Sequence, residues 1–198
     1  MKKRIIFATS NEGKMKEIRL IMEDSDYEVI SLKEAGVNAD IEENGTTFEE
    51  NAVIKAKAIA QLTGLCTLAD DSGLEIDYLD KAPGIYSARF LGENTSYDKK
   101  NNYILDQLLG VELVQRTARF VCAIAYAQPD GVVMTTRGTI EGFIGEEIRG
   151  ENGFGYDPIF MVPEYGKTTA ELSIDEKNKI SHRAKALRAM KEKLPKVN

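Results

Sequence analysis

The sequence predicts an α/β fold: an elongated mixed β-sheet flanked by helices, in two lobes with a central cleft. Three observations predict it. Short apolar or β-branched runs alternate with helical patterns through the first part of the chain, a long hairpin signal follows, and a basic amphipathic stretch closes it. No linker composition and no repeat divides the 198 residues, so residues 1–198 are expected to form one domain of two lobes without a separable linker.

Arg4 to Thr9 is a β-branched run that turns at Ser10-Asn11-Glu12-Gly13 into a helix whose apolar spacing continues to Met22. Tyr27 to Leu32 reads as a second strand. Thr46-Thr47-Phe48-Glu49 opens a long helix with capping-box character that ends near Gly64, and its alanines favour close packing. Leu65 to Ala69 is a brief apolar strand expected to stop at Asp70-Asp71-Ser72-Gly73, which puts the acidic pair at a strand end; Leu74 to Tyr78 then alternates as a half-exposed strand does. Tyr97 to Leu109 has a helical pattern. Ala118 to Ala127 and Val132 to Ile144 form two long strands joined at the turn signal Pro129-Asp130-Gly131. A Gly- and Pro-punctuated extended stretch leads to the final element, a basic amphipathic helix from Asp175 to Leu194.

Composition excludes several classes. Hydrophobic residues are 42% and charged residues 29% of the chain, an ordinary globular balance that excludes extended disorder. A formal charge of −6 is unsuited to the broad positive footprint that nucleic acid requires, although a few lysines suffice for a small anion. Cys66 and Cys122 lie in apolar runs and read as buried free thiols, with no disulfide framework or zinc site. Met1-Lys2-Lys3-Arg4 has the charge of a signal-peptide opening, but Ile5-Ile6-Phe7-Ala8 is too short for its apolar core. No stretch reaches transmembrane length, so a cytoplasmic protein without a membrane partner is expected.

Four segments carry candidate chemistry. Thr9-Ser10-Asn11-Glu12-Gly13-Lys14 follows a strand and starts a helix, where backbone amides and the helix dipole favour an anion and Lys14 adds a point charge; an ordinary capped turn is an equal reading. It is not a Walker A loop, because Met15 follows Lys14. Glu42, Glu43, Asp70 and Asp71 form two acidic pairs separated by the long helix. If they converge, their ionisation is coupled or a hard cation such as Mg²⁺ neutralises them, and a carboxylate is placed to take a proton from water. Glu42-Glu43 alone reads as a solvated loop. In the segment from Gly150 to Phe160, glycines let the backbone approach a ligand and Phe154 is able to face a base, while a tight turn between strands explains the same composition. Finally, His182 is the only histidine, in Lys177-Asn178-Lys179-Ile180-Ser181-His182-Arg183 at the start of the last helix, which excludes multi-histidine metal sites. A solvated helix face is the plainer account of that segment, as surface exposure is for Lys55.

Taken together, these segments resemble the inosine triphosphate pyrophosphatase family, the house-cleaning purine nucleoside triphosphate pyrophosphatases. The carriers run in order through the chain: Phe7 to Lys14, Thr47-Phe48-Glu49-Glu50-Asn51-Ala52, Ala69-Asp70-Asp71-Ser72-Gly73-Leu74, Ala82 to Arg89, Gly153 to Pro158, and Ile180-Ser181-His182-Arg183. The resemblance implies an ITPase-like fold, Mg²⁺ as cofactor, a homodimer, and hydrolysis of ITP, dITP and XTP to monophosphate and pyrophosphate. It implies that Thr9, Ser10, Asn11, Glu12, Gly13, Lys14 and Lys55 hold the triphosphate and that Glu43 and Asp71 bind the metal, with Glu42 and Asp70 as alternatives. Asp71 is then also the proton acceptor, Ser72 lies against the substrate, and Phe154, Gly155, Tyr156, Asp157, Lys177, His182 and Arg183 form a nucleoside pocket for a 6-keto purine. A Maf-type pyrophosphatase of other base preference and a nucleotide sensor without turnover are the alternative functions.

Overall fold

A computed structural model describes residues 2–39 and 41–196; Met1 of the basic opening lies outside them. Among the described residues the sheet has seven strands: β1 (Lys3–Phe7), β2 (Tyr27–Ser31), β3 (Thr67–Ile76), β4 (Thr117–Ala127), β5 (Val133–Ile144), β6 (Phe160–Val162) and β7 (Lys167–Thr168). Their order is β2-β1-β3-β4-β5-β6-β7. β1 pairs in parallel with β2 and β3, whereas β5–β6 and β6–β7 are antiparallel, so the sheet is mixed, as expected. The helices are α1 (Glu12–Met22), α2 (Phe48–Thr63), α3 (Tyr97–Gln107), α4 (Ile174–Ile180) and α5 (His182–Lys193).

The chain divides into two compact units, Met1–Asp71 with Cys122–Gly138 and His182–Asn198, and Ser72–Val121 with Thr139–Ser181. In the first unit, Ile5 and Phe7 of β1, Cys66 just before β3, Leu68 of β3, and Cys122, Ile124 and Tyr126 of β4 form one core with Met15, Ile18 and Met22 of α1 and Leu187 and Met190 of α5. The period of two along each strand puts these residues on one sheet face, and the three-to-four spacing on each helix supplies the covering stripe. α5 comes close to β5 because Gly138 lacks a side chain: a Cβ there would lie 2.3 Å from the His182 carbonyl oxygen. In the second unit the core joins Leu74 and Ile76 of β3, Ile104 and Leu108, Phe120, Ile144 and Phe160, with the Phe120 and Phe160 rings 4.4 Å apart. Buried Arg116 donates to the carbonyls of Leu108, Val111 and Gly145 at 2.7, 2.9 and 2.8 Å, tying the segment after α3 to the end of β5.

Two elements differ from expectation. Leu65–Ala69 and Leu74–Tyr78 are not separate strands: β3 runs unbroken through Asp70-Asp71-Ser72-Gly73, so the acidic pair lies inside a strand rather than at its end. Acids and glycine favour a turn locally, but cations from distant elements neutralise the buried carboxylate and remove the cost of keeping it in the sheet. The expected single helix from Asp175 to Leu194 is two, α4 and α5, broken at Ser181 (φ −61°, ψ 148°). That extended geometry is typical of a residue preceding a helix, a position serine favours, and α4 begins with a full capping box of Ser173 and Glu176. The 118–144 hairpin stands as expected, closed by Gln128 N–H to the Val132 carbonyl at 2.9 Å. The short strands β6 and β7 fall in the stretch read only as extended.

Candidate active site

The first unit gathers most of the predicted acids and cations. Asp70 and Asp71 are consecutive on β3, so their side chains leave opposite faces. Asp70 continues the row of Cys66 and Leu68 toward α1 and α5. Its Oδ2 accepts from Lys14 Nζ at 2.8 Å and from Arg183 Nε at 3.5 Å, and Arg183 also donates to Glu17 at 2.9 Å. Burial alone would push the Asp70 carboxyl up, but Lys14, Arg183 and Lys55 outweigh it and hold the group well below the usual carboxylate range. Cys122, on the same side, is a free thiol that burial pushes up to about 12, so it is inert at neutral pH.

Asp71 meets the opposite surroundings. Burial raises its carboxyl to about 6, and neighbouring Glu43 and Asp70 add to the rise, while a hydrogen bond from Asn51 and the charge of Lys55 oppose it. The Asn51 amide donates to Asp71 Oδ2 at 3.1 Å, and its Oδ1 accepts from Gly45 N–H at 2.8 Å. Lys55 Nζ bonds Glu43 at 2.9 Å and the Asp70 carbonyl at 3.0 Å. Thr47 starts α2 by accepting from Glu50 N–H at 3.1 Å, so one capped helix supplies both Asn51 and Lys55.

Thr9, Ser10, Glu43 and Lys55 line a common open cavity of about 200 Å³, together with Ile41 and Ile59. Ser10, Asn11, Glu12 and Gly13 are exposed at the first turn of α1, where Asn11 Oδ1 accepts from Lys14 N–H at 3.0 Å. Part of the predicted amide cradle is thus already used for capping. Glu42 is exposed and Glu43 is half-buried against Lys55, which separates the two adjacent acids. His182 and Arg183 begin α5 buried, at 8% and 3% exposure, and are not the solvated helix face that composition alone favoured. Among the described residues, no three His, Cys, Asp or Glu side chains group closely enough to chelate an ion by themselves.

In the second unit, Asp157 organises the glycine-rich segment. Its Oδ2 accepts from Lys177 Nζ at 2.6 Å and from Phe154 N–H at 2.8 Å, and its Oδ1 accepts from Thr169 at 2.8 Å. Phe154 is 42% exposed and carries the Lys177 ammonium 5.1 Å from its ring centroid. Tyr156 is buried and donates to the Ser87 carbonyl at 2.7 Å, while Ser72 is half-buried in β3. Glu17, Asn51, Asn101 and Thr169 were not anticipated. For Asn51 a signal existed: it is the polar member of the buried stripe Phe48, Asn51, Ala52, Ala56, Ile59 and Ala60.

A mixed sheet with paired carboxylates and lysines beside a cavity at a strand-to-helix turn defines an α/β protein equipped to handle an anionic ligand. The chain belongs to the Ham1 family, whose sequence pattern matches residues 5–193. It is 52% identical over 192 residues to the dITP/XTP pyrophosphatase of Bacillus subtilis, covering 97% of each chain, and 51% identical over 188 residues to that of Bacillus licheniformis, covering 95% of this chain and 96% of the relative. Among solved structures it is similar to the Staphylococcus aureus Ham1 protein, with 43% identity, a TM-score of 0.87, and coverage of 96% of this chain and 97% of that one.

Proposed function

We propose that this chain hydrolyses deaminated purine nucleoside triphosphates, ITP, dITP and XTP, to the nucleoside monophosphate and pyrophosphate. The observation that carries the proposal is Asp71, a half-buried carboxyl raised to about 6, steered by Asn51 and flanked by Lys55 and Glu43. A group that titrates just below neutral pH is suited to accept a proton from an attacking water. The names of the Bacillus relatives support the substrate class.

The donor set fits Mg²⁺. Glu43 and Asp71 offer oxygen ligands only, and Mg²⁺ characteristically takes one or two carboxylates and completes its shell with water and substrate phosphates. When bound, the ion would neutralise phosphate charge and lower the pKa of a coordinated water. Lys55 holds Glu43 in place, and Lys14 with the first turn of α1 offsets the charge of the triphosphate. Asp71 orients the water that attacks the α-phosphorus and takes up its proton, and pyrophosphate leaves. In the second unit Phe154 offers its ring to the base, Asp157 fixes the Phe154 amide, and the Lys177 ammonium supplies donors suited to a 6-keto oxygen. Adenine presents an amino group there, which would leave those donors unpaired.

The family resemblance further supports a homodimer and a cytoplasmic location. Among the described residues no helix is long and apolar enough to cross a membrane. Pyrophosphate release measured across dITP, XTP, ITP, GTP and ATP, with and without Mg²⁺, tests the proposal. The expected result is metal-dependent release with dITP and XTP at least about a hundredfold faster than with ATP. Equal rates on ATP, or no release at all, would contradict it.

A further inference from the structure

We propose that Asn101 is a positioning residue for base recognition, acting through the carbonyl of Gly155; this role rests on the nucleoside function assigned to residues 153–157. Asn101 lies on α3 and is 2% exposed. Its Nδ2 donates to the Gly155 carbonyl at 3.1 Å. Its Oδ1 is buried and has no hydrogen-bond partner among the described residues. Orphaned buried acceptors are destabilising, and leucine, of similar volume, would pack the same site without one. A residue kept only to seat α3 gains nothing from being asparagine. What asparagine adds is the bond to Gly155.

That bond matters because of what Gly155 adjoins. Phe154 stands between two glycines in the left-handed region, Gly153 at φ +78° and Gly155 at φ +72°. On the Gly153 side, Asp157 holds the Phe154 amide, and a Cβ at Gly153 would fall 2.2 Å from Asp157 Oδ2. On the Gly155 side, Asn101 holds the Gly155 carbonyl. Asp157 N–H also donates to the Phe154 carbonyl at 3.4 Å, and Asn101 fixes the next carbonyl along, that of Gly155, while the Phe154 ring stays 42% exposed. α3 is itself anchored: neighbouring Lys100, 1% exposed, donates to the Ala88 carbonyl at 2.7 Å and sits 4.7 Å from the Tyr97 ring centroid. Tyr97 in turn meets Tyr156 edge-on at 5.3 Å. These contacts thus tie the 84–88 segment, which the proposed reaction leaves without a role, to the loop that presents Phe154.

Releasing Gly155 frees the ring to move, which weakens binding of the base equally in ground and transition states and raises KM without lowering kcat. The test compares wild type, Asn101→Leu and Asn102→Ala, an exposed neighbour on the same helix, in pyrophosphate release from dITP. Thermal melting and competitive inhibition by inorganic pyrophosphate are measured alongside. Asn101→Leu is expected to raise KM about tenfold, with kcat within about twofold of wild type and an unchanged pyrophosphate inhibition constant. Its Tm should stay within about 3 °C, because one hydrogen bond and one orphaned acceptor are lost together. Asn102→Ala should match wild type throughout. If Asn101→Leu does not fold, Asn101→Ser, which is too short to reach Gly155, carries the same expectation. A wild-type KM in a folded variant of an active enzyme overturns the role, as does a joint shift of KM, kcat, pyrophosphate inhibition and Tm. A wild-type enzyme that releases no pyrophosphate from dITP overturns the activity and this role with it.

Discussion

On the α1–α5 side of β3, Asp70 meets Lys14 and Arg183 and stays ionised well below ordinary carboxylate pH; on the α2 side, Asp71 meets an amide, one lysine and a second acid, and is raised to about 6. The two residues are chemically identical neighbours in one strand. Strand alternation sends them to different regions, and those regions, not the residue type, decide which acid is held ionised and which is raised toward neutral pH. The wealth of cations on one side holds one carboxylate ionised, and their scarcity on the other lets burial raise its neighbour.

If burial and partners set the roles, the two acids are not interchangeable. Asp71→Asn should lower kcat by about 10²- to 10⁴-fold, as loss of a general base does, in a protein that still folds; steady-state pyrophosphate release reads this directly. Asp70→Asn should act on stability instead. It leaves buried Arg183 and Lys14 facing an amide, and loss of one partner from a buried ion pair costs roughly 3–5 kcal/mol, measurable by chemical denaturation. The acid limb of the stability curve sharpens the same contrast. Asp70 has a depressed folded pKa, so its contribution is present above the unfolded value and disappears as pH falls through the folded one. Wild type should therefore lose stability below about pH 4, and Asp70→Asn should show a shallower decline there. The smallest effect concerns the helix that serves the Asp71 side: Thr47→Ala removes the cap of α2 and should cost about 1 kcal/mol, or roughly 2–4 °C in Tm.

Local signals carried much of the fold. The strand-turn-helix at residues 4–22 and the hairpin around Pro129-Asp130-Gly131 depend on propensity, capping and turn chemistry within a few residues, and both stand in the structure. The unbroken β3 was not legible, because what neutralises Asp70 lies 56 residues away at Lys14 and 113 away at Arg183. The break at Ser181 was hidden by a charge and apolar pattern that continues across it. Within the site, the acids and lysines were readable as residue types, but the difference between Asp70 and Asp71, and between Glu42 and Glu43, is one of burial and partner. Asn101 and Thr169 carried no local signal, since each acts through a bond to another segment, 54 and 12 residues along the chain.

Burial on the α2 side holds the Asp71 carboxyl near 6 at some cost to the fold. A raised folded pKa means that the stabilisation is present below the unfolded value, near 3.8, and is lost as pH rises through about 6. Melting curves of wild type and Asp71→Asn, recorded without divalent ions from pH 4 to pH 8, test this directly. The two proteins should be nearly equal in stability at the acid end, and the variant should become the more stable by about 2 kcal/mol above pH 7, where wild type alone must bury the charge. A constant difference across the whole range, or a variant less stable at pH 8, would contradict the account.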